Sequence, residues 1–208
     1  MSDPSVPLQL HLRPAHYYAA SLACNKSVDT GLHLIYAEPT KGNQVVLVAV
    51  DGCLGIVAKV DAVTNLEQPV LIEPAKKQFT RKDIGVAGVP AVLLQDPPAS
   101  NKLANWRSIL KPCFEFTEDS LRDDGCNVAV YDPALLERIA KIGKALGGRF
   151  TCKTRSTQAL IGTMEFGDIA ANEVFLIFLM PQALHACTPE NKTAARFRDG
   201  WDYILQTT

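Results

Sequence analysis

The sequence predicts an α+β fold in which two βαβββ units build an antiparallel sheet and place their helices on one face. Two observations support this prediction. Residues 7 to 61 and residues 127 to 181 each show a short strand pattern, a helix that begins with proline, and three further strand patterns. The last two strand patterns of the first unit are joined by Asp51-Gly52, a pair typical of tight turns. With 208 residues, the chain is long enough to bury a substantial core beside such a sheet.

The first unit begins with an alternating strand pattern and continues into a helix. Leu8, Leu10 and Leu12 alternate with polar residues, which is typical of a half-buried strand. Pro14 suits the first turn of a helix, because its missing N–H is not needed there. The patterns GLHLIYA, QVVLVAV and CLGIVAKV follow as three strands.

The second unit has stronger helix signals. Asp132 is a good N-cap residue, and Pro133 suits the first helical position. Apolar residues then recur at helical spacing, at Leu135, Ile139, Ile142 and Leu146. Gly147 predicts the end of this helix. The patterns RFTCKT, QALIGTMEF and EVFLIFLM predict the three strands.

The segment between the units, residues 62 to 126, is less regular. PVLIEPAKKQFTRKD predicts a strand and a short helix, VPAVLLQ predicts another strand, and NWRSILKP predicts an extended piece. The segment is either an insertion or an extra half-unit within a domain spanning residues 7 to 184. Residues 185 to 208 are expected to form a C-terminal extension, with a helix that packs on the domain.

Composition narrows the classes of function. The net charge is −1, so nucleic-acid contact would need a local basic patch. No apolar run reaches about 18 residues, and a membrane span is therefore not expected. The N-terminus lacks the features of a signal peptide. Six cysteines without a C-x-x-C pair indicate reduced thiols and a cytoplasmic protein.

The sequence lacks the common signatures of catalysis. It contains no G-x-x-x-x-G-K-[ST], G-x-S-x-G or H-E-x-x-H motif. His185 and Cys187 could supply two metal ligands, whereas a zinc site needs three or four. The carboxylates Glu38, Asp51 and Asp168 are placed in turns, where capping or solvation is their usual role. We expect no catalytic residue, no metal and no cofactor, with an uncharacterised enzyme on an α+β domain as an alternative.

Four motifs in the same order resemble the bacterial replicative sliding clamp, the β subunit of DNA polymerase III. LVAVDGCLGIVA is similar to the family's V-A-T-D-G-H-R-L-A, and LIEPAKKQF is similar to I-I-P-A-K. NWRSILKP is similar to P-D-Y-R-R-V-L-P, and FLMPQAL is similar to I-M-P-M-R-L. Cys53-Leu54-Gly55 replaces the family's His-Arg-Leu, and Gln182-Ala183 replaces its Met-Arg. The resemblance implies a shortened, divergent clamp-fold protein, encoded by a phage or mobile element.

This resemblance implies association with double-stranded DNA, because clamp helices line the inner wall of a ring and contact phosphates without reading bases. The candidate DNA-binding residues are Lys76, Lys77, Arg81, Lys82, Arg138, Lys141, Lys144 and Arg149. Their alternative interpretation is a solvated helix face. The resemblance also implies a homo-oligomer that acts as a processivity or docking factor for replication proteins.

A peptide-binding site follows from the same resemblance. Clamps bind short peptides of polymerases beside the Asp-Gly turn and the Met-Pro pair. Carried over to this sequence, the candidate residues are Val50, Gly52, Cys53, Leu54, Met180 and Pro181. Their alternative interpretation is ordinary sheet core. The alternative function is a peptide-binding adaptor or decoy of clamp fold that does not bind DNA.

Overall fold

A computed structural model describes residues 7–24, 32–75, 88–94, 102–108, 131–155, 158–165 and 173–180. These residues include the helices α1 (Pro14–Leu22) and α2 (Pro133–Leu146) and a 3-10 turn at Lys102–Asn105. The strands are β1 (Leu10–Leu12), β2 (Ile35–Thr40), β3 (Gln44–Val50), β4 (Leu54–Thr64), β5 (Val70–Ile72), β6 (Val89–Pro90), β7 (Leu93–Leu94), β8 (Arg149–Arg155), β9 (Gln158–Glu165) and β10 (Val174–Leu179). None of the described helices is long and apolar enough to cross a membrane.

The described strands form one antiparallel sheet, in which eight follow the order β7-β5-β2-β3-β4-β10-β9-β8, while β1 pairs with β4 and β6. The order β2-β3-β4 of the first unit is mirrored by β10-β9-β8 of the second, and the two units meet where β4 pairs with β10. The long β4 strand also pairs with β1 beyond the end of β10, since Lys59 is opposite Val174 and Ala62 is opposite Leu12. This arrangement confirms the predicted fold class.

Both helices pack on the same face of this sheet. Tyr17 and Ala20 of α1 and Ile142 of α2 belong to one buried core with Ile56 of β4 and Phe175 of β10. The helices also contact each other. The small residues of α1 allow this close approach, because alanine side chains add little bulk between the helix and its neighbours. The prediction of two helices side by side on one face is confirmed.

The opposite face of the sheet carries a second apolar cluster. Tyr36, Val48 and Phe178 lie in it, and residues 102 to 108 cover it with Leu103 and Trp106. The prediction of an extended piece at NWRSILKP is wrong for its described part, because residues 105 to 108 are helical. Leu103 and Trp106 are three positions apart, so a helical turn brings both side chains onto the sheet.

The middle segment adds strands to the sheet. The strand predicted at PVLIEP is present as β5, which pairs with β2. VPAVLLQ forms two short strands with different partners, since β6 pairs with β1 and β7 pairs with β5. Pro90 ends β6, and proline cannot donate a ladder hydrogen bond, which limits it to such positions. The predictions for residues 127 to 130 and 185 to 208 lie outside the described residues.

Candidate functional site

The Asp51-Gly52 pair forms the tight turn between β3 and β4. The N–H of Asp51 donates to the carbonyl oxygen of Leu54 at 2.9 Å. Gly52 has a φ of 96°, a conformation that favours glycine. One carboxylate oxygen of Asp51 accepts hydrogen bonds from the N–H groups of Cys53 at 3.0 Å and Leu54 at 2.7 Å. The turn is therefore held by its own aspartate, as the capping interpretation of Asp51 predicts.

The side chain of Arg138 connects this turn to the end of α1. Its Nη1 forms an ion pair with the second carboxylate oxygen of Asp51. Its Nε donates to the carbonyl oxygen of Leu22 at 2.8 Å, and its Nη2 donates to that of Cys24 at 3.1 Å. Carbonyls at the end of a helix have no partner within the helix, and the guanidinium satisfies that of Leu22 and that of Cys24 just after the helix. Arg138 was predicted from sequence as a phosphate contact, and the structure gives it three internal acceptors.

The remaining predicted cations of α2 and the start of β8 are exposed. Lys141 forms an ion pair with Glu137 at 2.8 Å, one helical turn earlier, and both side chains are more than half exposed. Lys144 and Arg149 are also exposed. The helix α1 contributes no basic residue to this face. We refer to Lys141 and Lys144 of α2, together with Arg149 at the start of β8, as the helix face. Lys76, Lys77, Arg81 and Lys82 lie outside the described residues.

The structure brings together the two motifs that were predicted from the sequence to form a peptide site. The N–H of Met180 donates to the carbonyl oxygen of Cys53 at 2.7 Å. Cys53 is exposed, and Met180 is 38% exposed. Pro181 lies outside the described residues. We refer to Val50, Gly52, Cys53 and Met180 as the turn surface.

Leu54 does not belong to this surface. Its side chain is fully buried in the core between the sheet and the helices, where Leu179 is its strand partner. Val50 is partly buried and packs against the apolar cluster on the face of the sheet away from the helices. Successive residues of an extended chain point to opposite faces, so Cys53 is exposed and the next residue, Leu54, is in the core. The assignment of Leu54 to an open peptide site is therefore corrected: it is a core residue.

A second polar group, which the sequence did not indicate, joins the two units. The buried carboxylate of Glu173 accepts a hydrogen bond from the N–H of Asp61 at 3.0 Å. Its other oxygen lies 3.4 Å from Nη1 of Arg13 and 3.7 Å from Nε2 of His16. This carboxylate occupies the gap between β10 and β1 along β4, and it satisfies a backbone donor that neither strand reaches. Arg13 and Glu173 are 160 positions apart, so only the strand register could have revealed the contact.

Burial controls the ionisation of this group. Burial raises the pKa of Glu173, against the opposing effects of the Asp61 hydrogen bond and the charge of Arg13. Burial also lowers the pKa of His16 to about 4, and the charge of Arg13 acts in the same direction. His16 is therefore neutral at pH 7. Among the described residues, no group of three or more His, Cys, Asp or Glu side chains is arranged to hold a metal ion.

Comparison with known proteins finds similarity in structure only. No family model matches the sequence, and no curated protein matches it. A C. crescentus beta sliding clamp has 7% identity and a TM-score of 0.46, with 89% of this chain and 67% of that chain covered. The Streptococcus pneumoniae DNA polymerase III beta chain has 12% identity and a TM-score of 0.42, with 88% and 67% covered. A Bartonella birtlesii DnaN sliding clamp has 10% identity and a TM-score of 0.40, with 90% and 66% covered.

These solved structures belong to the family that the sequence motifs resemble. The chain spans about two thirds of the length of these clamps. At such low identities the similarity concerns the fold alone, and the function has to be argued from the side chains of this chain.

Proposed function

We propose that this protein is a non-enzymatic, sliding-clamp-like docking factor that contacts duplex DNA with its helix face and replication proteins with its turn surface. The observation that carries the proposal is the placement of two helices side by side on one face of an antiparallel sheet, with exposed cations on the outer side of α2. The four motifs that resemble sliding clamps support the same class of function.

The chemistry of the helix face suits contact with phosphates. Lys141 and Lys144 project ammonium groups from a rigid helix, and such groups contact the DNA backbone without selecting a base sequence. The ion pair of Lys141 with Glu137 is exposed, and pairs of this kind contribute only about 0–1 kcal/mol. A phosphate can therefore replace Glu137 as a partner at little cost. Because the net charge is −1, attraction depends on this local group of cations.

Charge reversal of the helix face is expected to weaken DNA binding equally for all sequences. In a Lys141→Glu, Lys144→Glu variant, the slope of log affinity against log salt should fall by about 1 for each lost phosphate contact. Fluorescence anisotropy with two unrelated duplexes over a salt series measures both quantities. The matched control is Lys41→Glu, Lys59→Glu, which makes the same charge change away from α2: Lys41 lies in the turn before β3, and Lys59 is an exposed residue of β4. Equal losses in both double variants would contradict the proposed site.

A peptide-binding adaptor or decoy without DNA binding is the second candidate function. It is favoured by the internal bonds of Arg138, which leave fewer cations on the helix face, and by the exposed Cys53 and Met180 at the turn surface. An apolar surface beside strand ends suits an extended peptide and needs little charge. Saturable peptide binding together with no salt-dependent DNA binding would select this candidate over the first.

A further inference from the structure

We propose that Arg138 positions the turn surface by tying Asp51 to the end of α1, and that it does not serve as a phosphate ligand. The effect of Arg138 on peptide docking rests on the proposed function of the turn surface. Its effect on the structure of the turn can be measured without any ligand, so each of the two claims can be contradicted independently of the other.

The geometry depends on a guanidinium group. Three different nitrogens of Arg138 reach three acceptors: Asp51 on the turn, Leu22 at the end of α1, and Cys24 just after it. Arginine presents its donors in a rigid planar fork, whereas lysine has a single ammonium group at the end of a flexible chain. Lysine at this position would keep the positive charge, but it could not span the same three acceptors. The charge and the bridging role are therefore separable by one substitution.

The bridge continues into the turn surface through Asp51. One of its oxygens binds Arg138, and the other accepts from the N–H groups of Cys53 and Leu54. The carbonyl oxygen of Cys53 in turn accepts from the N–H of Met180. Hydrogen bonds to charged groups are about twice as strong as neutral ones, and both charged side chains here are largely buried. A continuous run of bonds thus leads from α2 to Met180.

The same bonds argue against a role in phosphate binding. To contact a phosphate, the guanidinium would have to leave Asp51, whose carboxylate is largely buried. A buried carboxylate or carbonyl group that loses its hydrogen-bond partner carries a large desolvation penalty. Lys141 and Lys144 are exposed on the same helix and carry no such penalty. The cations of α2 therefore have two roles: Lys141 and Lys144 face solvent and can contact phosphates, whereas Arg138 holds the turn.

The test compares Arg138→Lys with the wild type and with Lys41→Arg, a conservative change at an exposed position of the turn before β3. In Arg138→Lys, hydrogen exchange of the amides at residues 51 to 54 should accelerate by about tenfold or more, since a bond to a charged group is lost. Labelling of Cys53 by a thiol reagent should accelerate as well, with a Cys53→Ser variant supplying the background from other cysteines. Lys41→Arg should match the wild type in both measurements. Asp51→Asn, which removes the charge and keeps an oxygen acceptor, should show a smaller increase.

Two binding titrations complete the experiment. A fluorescent clamp-binding peptide of a bacterial polymerase should bind Arg138→Lys about tenfold more weakly, while affinity for duplex DNA stays close to that of the wild type. Unchanged exchange and labelling in both Arg138→Lys and Asp51→Asn would overturn the positioning role. If the wild type binds no peptide, the proposed docking function fails, and exchange and labelling still decide whether Arg138 holds the turn.

Discussion

Replacing Leu54 with alanine is expected to lower the free energy of unfolding by about 2–5 kcal/mol. The side chain is fully buried where the two units meet, and it is paired with Leu179 across β4 and β10. Truncation removes apolar contacts and leaves a cavity that the close-packed sheet and helices can fill only in part. Urea denaturation, followed by circular dichroism, measures the change.

Met180→Ala is the matched comparison, because Met180 follows directly on Leu179 and remains partly exposed. Its truncation should change the free energy of unfolding by about 0.5 kcal/mol or less, as at other surface positions. If the turn surface binds peptides, the same change should weaken peptide binding by about 1–3 kcal/mol. A loss of stability as large as that of Leu54→Ala would mean that Met180 is core and that the turn surface is not a binding site.

Acid is expected to destabilise the wild type more than a His16→Gln variant. His16 has an ordinary pKa of 6.5 that burial lowers to about 4 in the folded state. Above pH 6.5 the side chain is neutral in both states and contributes no pH dependence. As the pH falls from 6.5 to about 4, His16 binds a proton in the unfolded chain but not in the folded protein. The free energy of unfolding therefore decreases over this range. The lowering of the His16 pKa from 6.5 to about 4 corresponds to a loss of about 3 kcal/mol of folding stability.

Glu173 acts in the opposite direction, because burial raises its pKa. The folded protein therefore binds this proton at a higher pH than the unfolded chain does, and this part of the stability increases as the pH falls. Glutamine at position 16 has a similar size and does not titrate, so the difference between the two proteins isolates His16. Urea denaturation of both at a series of pH values from neutral to about 4 provides the comparison. Parallel curves would mean that His16 is not held neutral by burial.

Much of the fold could be predicted because its signals are local. Asp132 caps α2 by accepting from the N–H of Ala134, and Gly147 ends the helix in a left-handed conformation. The turn at Asp51-Gly52 forms between the two strands that its neighbours predict. In each case a few adjacent residues determine the structure, and a single sequence is sufficient to identify them.

The side-chain partners could not be predicted in the same way. The sequence places Arg138 on the polar side of a helix, but its acceptors come from the distant ends of α1 and β3. A strand pattern does not show which residues face the core, because this depends on the register with the neighbouring strands. The sequence therefore could not show that Cys53 is exposed and Leu54 is buried. The contact of the buried Glu173 carboxylate with the N–H of Asp61 could not be predicted either. It depends on the gap along β4 between the part that pairs with β10 and the part that pairs with β1.

Binding of the wild-type protein to closed circular and linear duplexes over a salt series tests the proposed association with DNA most directly. The proposal predicts saturable binding at about 50 mM salt that is independent of base sequence and weakens steeply toward about 200 mM. Absence of binding at low salt, or an affinity that does not change with salt, would contradict it.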